Sequence, residues 1–278
     1  MRLIKVFILL LAALRVSGQE YSPDIDKALQ NRDYPLVVKM CDELLLKQEQ
    51  GKDILKIKGS ALMGMQDYEN ALASFRLAAE KDTSDLSLDY YSSECLEQLG
   101  DLQGAIMILE NRYLTDSLDL YSLQNLARIY IKGRNFEKAF PYCMNLSERF
   151  PDNYTFSKNL ATSAYQLGYF DIAFTGFNEA WKLNRRDLTL PVSLANCYMK
   201  MKEPEKAIDI LNEGLSYDSL NINILKTAGY LYFLGEDYNS AARYFKKALS
   251  QGDSTEFVRK NLGISLLTRT GSRNLSLS

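Results

Sequence analysis

Histidine does not occur in the 278 residues. Its absence removes the commonest general base near neutral pH and the commonest zinc or haem ligand. Glycine and proline are scarce, at 15 and 6, too few for a turn-rich all-β fold. No glycine-rich phosphate loop and no CxxC or comparable metal-ligand spacing is present. The sequence therefore predicts no catalytic residue, metal or cofactor, and no enzyme. Basic excess is missing as well: 33 Lys and Arg face 35 Asp and Glu, so the clustered cations of a nucleic-acid footprint are not to be expected.

What is present begins with a short basic start, Met1, Arg2 and Lys5, followed by nine apolar residues from Val6 to Leu14. That run is too short to span a bilayer core of roughly 30 Å but suits the apolar region of a secretory signal. Arg15 ends it, and Val16-Ser17-Gly18 offers small side chains for cleavage. The expectation is a signal peptide at 1–18, a mature chain from Gln19 and a periplasmic or secreted location. No membrane span is expected. Without Arg2, Lys5 and Arg15 the chain keeps 30 basic and 35 acidic residues.

The rest is periodic. Val37, Ala71, Ala105, Ala139, Ala173, Ala207 and Ala241 lie 34 residues apart without a slip. Four residues after each comes a mostly large one: Cys41, Phe75, Leu109, Cys143, Phe177, Leu211 and Phe245. Three before each come Tyr34, Tyr68, Leu102, Phe136, Phe170, Pro204 and Tyr238. Twelve before each stands a mostly small one: Ile25, Gly59, Ser93, Ala127, Ala161, Ala195 and Gly229, with Gly263 continuing the register. Tyr238, Ala241, Phe245 and Ala248 form one stripe of an α-helix, and Leu225, Ala228, Gly229 and Tyr232 an earlier one. Small residues at a helix crossing allow close approach. Gly235 reads as the stop between the two helices and Asp237 as a cap. Pro151 closes a unit in the same way.

The period and these columns resemble the tetratricopeptide repeat, in an exported bacterial type, and Gly229, Tyr232, Ala241, Phe245 and Ala248 match its pattern best. The resemblance implies an all-α, right-handed α-α solenoid (a superhelix) of helical hairpins. Its units fall at 18–51, 52–85, 86–119, 120–153, 154–187, 188–221 and 222–255, a solenoid of 19–269 with a terminal helix at 255–269 and a flexible tail at 270–278. Departures concentrate in the third unit, where Asp89 and Ser92 stand on the first helix and Arg112 replaces a small residue of the second. That unit is the expected place for distortion. The terminal helix either caps the solenoid or offers its apolar face to a partner or a second copy.

Four cysteines in an exported chain invite disulfides. Yet Cys95 and Cys197 sit in first helices two units beyond Cys41 and Cys143, which lie in second helices, and each repeat touches only its neighbours. Buried thiols are expected. Asp116-Ser117-Leu118, Asp218-Ser219-Leu220 and Asp253-Ser254-Thr255 look like short bacterial O-glycosylation sites, and Asn153-Tyr154-Thr155 like an N-linked acceptor; helix capping at such turns is the simpler reading of each.

The resemblance further implies that first helices line a concave groove, with positions 2, 5, 6, 9, 12 and 13 of each unit facing a ligand. The partner-binding set carried onto this sequence is Tyr90, Tyr91, Gln124, Asn125, Arg128, Lys158, Asn159, Thr162, Tyr165, Asn196, Lys226 and Tyr230. Position 6 runs Asn125, Asn159, Ser193, Thr227 and Asn261, a ladder whose amides could donate to and accept from a peptide backbone. The predicted function is a scaffold that binds a protein or peptide of unknown identity. Alternatives are a subunit of an outer-membrane assembly or nutrient-uptake complex, or an all-α glycan-processing enzyme.

Overall fold

A computed structural model of the protein describes residues 23–47 and 51–275. The expected signal peptide, Ser22 and residues 276–278 lie outside the described residues. Fifteen helices, and no strand, occur among those described. The first helices of successive hairpins are α1 (Pro23–Gln30), α3 (Gly51–Gly64), α5 (Ser87–Gln98), α7 (Leu120–Lys132), α9 (Tyr154–Leu167), α11 (Thr189–Lys200) and α13 (Ile222–Leu234). Their second helices are α2 (Tyr34–Leu46), α4 (Tyr68–Lys81), α6 (Leu102–Thr115), α8 (Phe136–Arg149), α10 (Phe170–Leu183), α12 (Pro204–Tyr217) and α14 (Tyr238–Ser250), and α15 (Glu256–Leu275) follows.

Every second helix starts on the column that precedes the alanine column by three residues. The cause is local. Asp33, Asp67, Asp101, Asn135 and Asp237 accept the backbone N–H of Leu36, Asn70, Gly104, Lys138 and Ser240, which satisfies an otherwise orphaned donor of the first turn. The residue before each cap position adopts a left-handed conformation: Arg32, Gln66, Gly100, Arg134, Gly168, Lys202 and Glu236 all have φ between 57° and 85°. In six of the seven turns the following N–H reaches back to a carbonyl of the preceding helix at 2.9 Å, for example Asp67 N to Leu62 O, closing a Schellman-type turn. In the last hairpin the left-handed residue is Glu236 at φ 62°, while Gly235 has φ −82°. The glycine expected to stop the helix stands one residue too early for that role.

Residues up to Ile129 and residues from Tyr130 onward form two compact units. In the first, α1 through α6 pack consecutively. In the second, α8 through α15 do the same, and α13 also touches the first helix before it, α11, and α15 after it. Contact between neighbours only is the packing logic of an α-α solenoid. The alanine column is fully buried throughout, and every residue of the large column is at most 5% exposed. Burying one such large apolar side chain contributes about 1.5–3 kcal/mol, so each hairpin draws its stability from the same few positions. Trp181 is also fully buried; its indole N–H donates to Glu213 Oε1 at 3.0 Å, and Arg185 lies 4.8 Å from the ring centroid.

The third unit is regular. Arg112 is 7% exposed, its Nε stands 3.7 Å from Asp89 Oδ2, and its guanidinium lies 5.9 Å from the Tyr90 ring centroid. Two residues foreign to their columns are set against each other, so α5 and α6 continue undistorted. The terminal helix, expected at 255–269, runs to Leu275. No proline interrupts 270–275, and Arg269 and Arg273 are good helix formers near a helix C-terminus. All four cysteines are reduced and buried.

Candidate functional site

Within the first compact unit, Tyr90 and Tyr91 lie half-buried on α5, and Gln124, Asn125 and Arg128 half-buried on α7. Tyr90 donates its phenol to Asp119 Oδ1 at 2.9 Å, and its ring centroid is 4.3 Å from that of Tyr121. Tyr91 stacks on Phe75 at 5.1 Å, and burial, then the nearby carboxylates of Asp85 and Glu94, push its phenol up to about 12. Arg128 grips both oxygens of Glu97 and donates to Asn125 Oδ1 at 3.0 Å. The Asn125 amide nitrogen donates to Tyr121 O at 2.8 Å. Tyr90, Asn125 and Arg128 are thus joined to Asp119 and Glu97, whereas Gln124 stands apart from them.

In the second compact unit Lys158 reaches Asp187 Oδ2 at 2.5 Å and Thr189 Oγ1 at 3.3 Å. Tyr154 donates to the same carboxylate, and Thr189 contributes its hydroxyl at 2.6 Å. Burial alone would raise the Asp187 carboxyl; the hydrogen bonds from Lys158, Thr189 and Tyr154 outweigh it and hold the group well below the usual carboxylate range. Lys226 pairs with Asp253 at 3.2 Å. Thr162 donates to Lys158 O at 2.8 Å, and Tyr165 meets the Phe170 ring edge-on at 5.6 Å. Asn159 is half-buried, Asn196 and Tyr230 are exposed, and Tyr230 lies 5.5 Å from the Phe257 ring.

Position 6 works differently from a bidirectional ladder. Asn125, Ser193, Thr227 and Asn261 each donate to the carbonyl four residues earlier in their own helix, at 2.8, 3.1, 2.8 and 2.8 Å. The single hydroxyl protons of Ser193 and Thr227 are thereby committed to the helix, whereas each asparagine amide keeps its second N–H.

Sequence reasoning missed the carboxylates that hold these side chains. Asp85, Asp119 and Asp187 close their units and each bonds a position-5 residue 29 places earlier: Lys56, Tyr90 and Lys158. The signal was an aspartate at the last position of three of the seven units, 34 or 68 residues apart. Asp116, Asp218 and Asp253 accept the N–H two residues on, from Leu118, Leu220 and Thr255, which gives each aspartate of the sequon-like tripeptides a turn-forming role. No helix of the described residues is long and apolar enough to cross a membrane.

Comparison with known proteins places this architecture. The tetratricopeptide repeat family is matched over residues 58–119 and again over 192–219. A curated relative, BBSome complex member BBS4 of Bos taurus, is 28% identical over 161 residues, which is 57% of this chain and 30% of the relative. The chain therefore spans under a third of that protein's length. Among solved structures, a tetratricopeptide repeat protein of Parabacteroides merdae superposes with a TM-score of 0.55 at 17% identity, covering 87% of this chain and 96% of that one. YrrB, described as a TPR protein with an unusual peptide-binding site, gives a TM-score of 0.58 at 16% identity over 67% of this chain and 96% of its own. With seven in-register hairpins and family matches in both compact units, the chain is a tetratricopeptide repeat protein.

Proposed function

We propose that the protein is an exported scaffold that holds a peptide or protein partner along the first helices of its hairpins. The observation that carries this reading is that Asn159, Asn196 and Tyr230 stand on α9, α11 and α13 outside the buried core. A groove side chain that adds nothing to the core is free to serve recognition, and Asn and Tyr suit interface contacts. Tetratricopeptide folds generally serve as scaffolds rather than enzymes. The peptide-binding site of YrrB and the membership of BBS4 in a complex support a role in holding other proteins. Export is supported by the basic start and the nine-residue apolar run before Arg15.

The test is affinity capture from an extract of the protein's own cells, comparing wild type with Asn159→Ala/Asn196→Ala and identifying captured proteins by mass spectrometry. Both substitutions sit outside the core, so helicity by circular dichroism is expected to stay the same while specific partners are lost. Identical capture by the two would reject the reading. For export, the intact mass of the mature protein is expected to begin near Gln19, and a retained Met1 would contradict it.

A further inference from the structure

The sequence Lys-x-x-Gly recurs in register on three first-type helices: Lys56 with Gly59, Lys226 with Gly229, and Lys260 with Gly263. In the first two, the chain itself supplies what both residues face. A Cβ at Gly59 would stand 2.7 Å from the Phe75 ring, and one at Gly229 would stand 3.0 Å from Phe245, each ring coming from the hairpin's second helix. The turn after that helix brings Asp85 to Lys56 at 2.8 Å and Asp253 to Lys226 at 3.2 Å. On α15 neither is present among the described residues. Nothing lies within 4 Å of a Cβ at Gly263, and no aspartate stands beside the exposed Lys260. Val258 is buried against the preceding hairpin and Ser265 is buried too, while Phe257 and Ile264 remain about 40% exposed.

We propose that this face of α15 receives an amphipathic helix of another protein, one that presents an aromatic side chain to Gly263 and, eight to ten residues later, an aspartate to Lys260. This rests on reading the protein as a scaffold and names the partner's chemistry. The spacing is that of the chain's own solutions, Phe75 to Asp85 and Phe245 to Asp253. A glycine at the crossing point admits a ring between helix backbones, and a lysine beside the slot complements a carboxylate. A folded second copy cannot supply the two elements that solve this problem within the chain, because its Phe75 and Phe245 are fully buried in their own hairpins.

The experiment measures fluorescence anisotropy of a labelled synthetic peptide with the sequence of residues 68–85, which carries both Phe75 and Asp85, against the full chain. Saturable binding is expected. It should weaken about tenfold with peptide Phe75→Ala, with peptide Asp85→Lys, and with protein Gly263→Leu or Lys260→Glu. Pairing peptide Asp85→Lys with protein Lys260→Glu should restore it. Both protein substitutions fall on the open face, so unchanged circular dichroism controls for folding. Absence of saturable binding overturns the proposal, as does binding that Gly263→Leu and Lys260→Glu leave intact. A dimer in sedimentation that Gly263→Leu dissolves also overturns it, by assigning the face to a second copy. Failure here with partner capture still lost in Asn159→Ala/Asn196→Ala refutes this inference alone, whereas unaffected capture in that variant refutes the scaffold reading.

Discussion

At the scale of single residues, Asp89 and Arg112 show how a repeat tolerates two departures that each look harmful alone. Other units put Leu55, Leu123 or Leu225 in the first column and Ala78, Ala180 or Ala248 in the second. Burial raises the Asp89 carboxyl, and the Arg112 guanidinium opposes that shift. Removing only the buried arginine leaves a void and takes the partner from a half-exposed carboxylate, so Arg112→Ala is expected to cost about 1–2 kcal/mol in urea unfolding. Asp89→Leu with Arg112→Ala restores both columns and is expected to be at least as stable as wild type; a double variant as weak as the single one would contradict the pairing. The left-handed turn residues offer the opposite case. Gln66 holds φ 63° where Gly100 and Gly168 hold 85° and 83°. A side chain there is strained, so Gln66→Gly should gain about 0.5–1 kcal/mol despite the added freedom of the unfolded chain. The seven-residue left-handed column contains only two glycines, which is why the sequence concealed it.

At the scale of elements, the crossing of the two helices in a hairpin depends on one small residue meeting one large one. Gly229→Ala would push a methyl to 3.0 Å of the Phe245 ring and is expected to lower stability by about 1–3 kcal/mol. Gly263→Ala meets nothing and should gain up to about 1 kcal/mol from helix propensity. Opposite signs at two members of one column, measured by thermal unfolding, would separate crossing contacts from propensity. This pattern was legible in the sequence, because columns spaced by 34 residues report helix faces directly. Helix starts were legible too, through their aspartate caps. The bonds between position-5 residues and unit-closing aspartates were not, since they join side chains 29 residues apart and depend on how a hairpin folds back. Asn125 was read as a ligand contact from its position, and only the coordinates reveal that Arg128 and its own helix engage both ends of its amide.

At the scale of the whole molecule, carboxylates held by turns, caps and lysines make stability depend on acid. Hydrogen bonds from Thr255 and Ser240 lower Asp253 and Asp237, and Lys56 and Ser87 outweigh the burial that would raise Asp85. A carboxyl depressed below its unfolded value of about 3.9 contributes stability above that pH and loses it as pH falls through the folded value. The urea midpoint is therefore expected to hold from pH 7 to about 5 and to fall progressively below about pH 4; an unchanged midpoint at pH 3 would contradict this. The thiols respond to the other extreme. Burial pushes Cys41, Cys95 and Cys197 up to about 12 and Cys143 to about 11, so alkylation at pH 8 should follow the rate of unfolding and not the reactivity of free cysteine. Finally, seven second helices that begin at an identical interval make the hairpins interchangeable in length. A deletion of 34 codons that starts at the same place in any two neighbouring units rejoins equivalent residues, so every junction survives in kind though one hairpin is gone. Deleting 33 codons would instead rotate all later helices by about 100° against their neighbours. The gene can thus lengthen or shorten by whole hairpins through unequal recombination, and the chain inherits a length that selection can count in units.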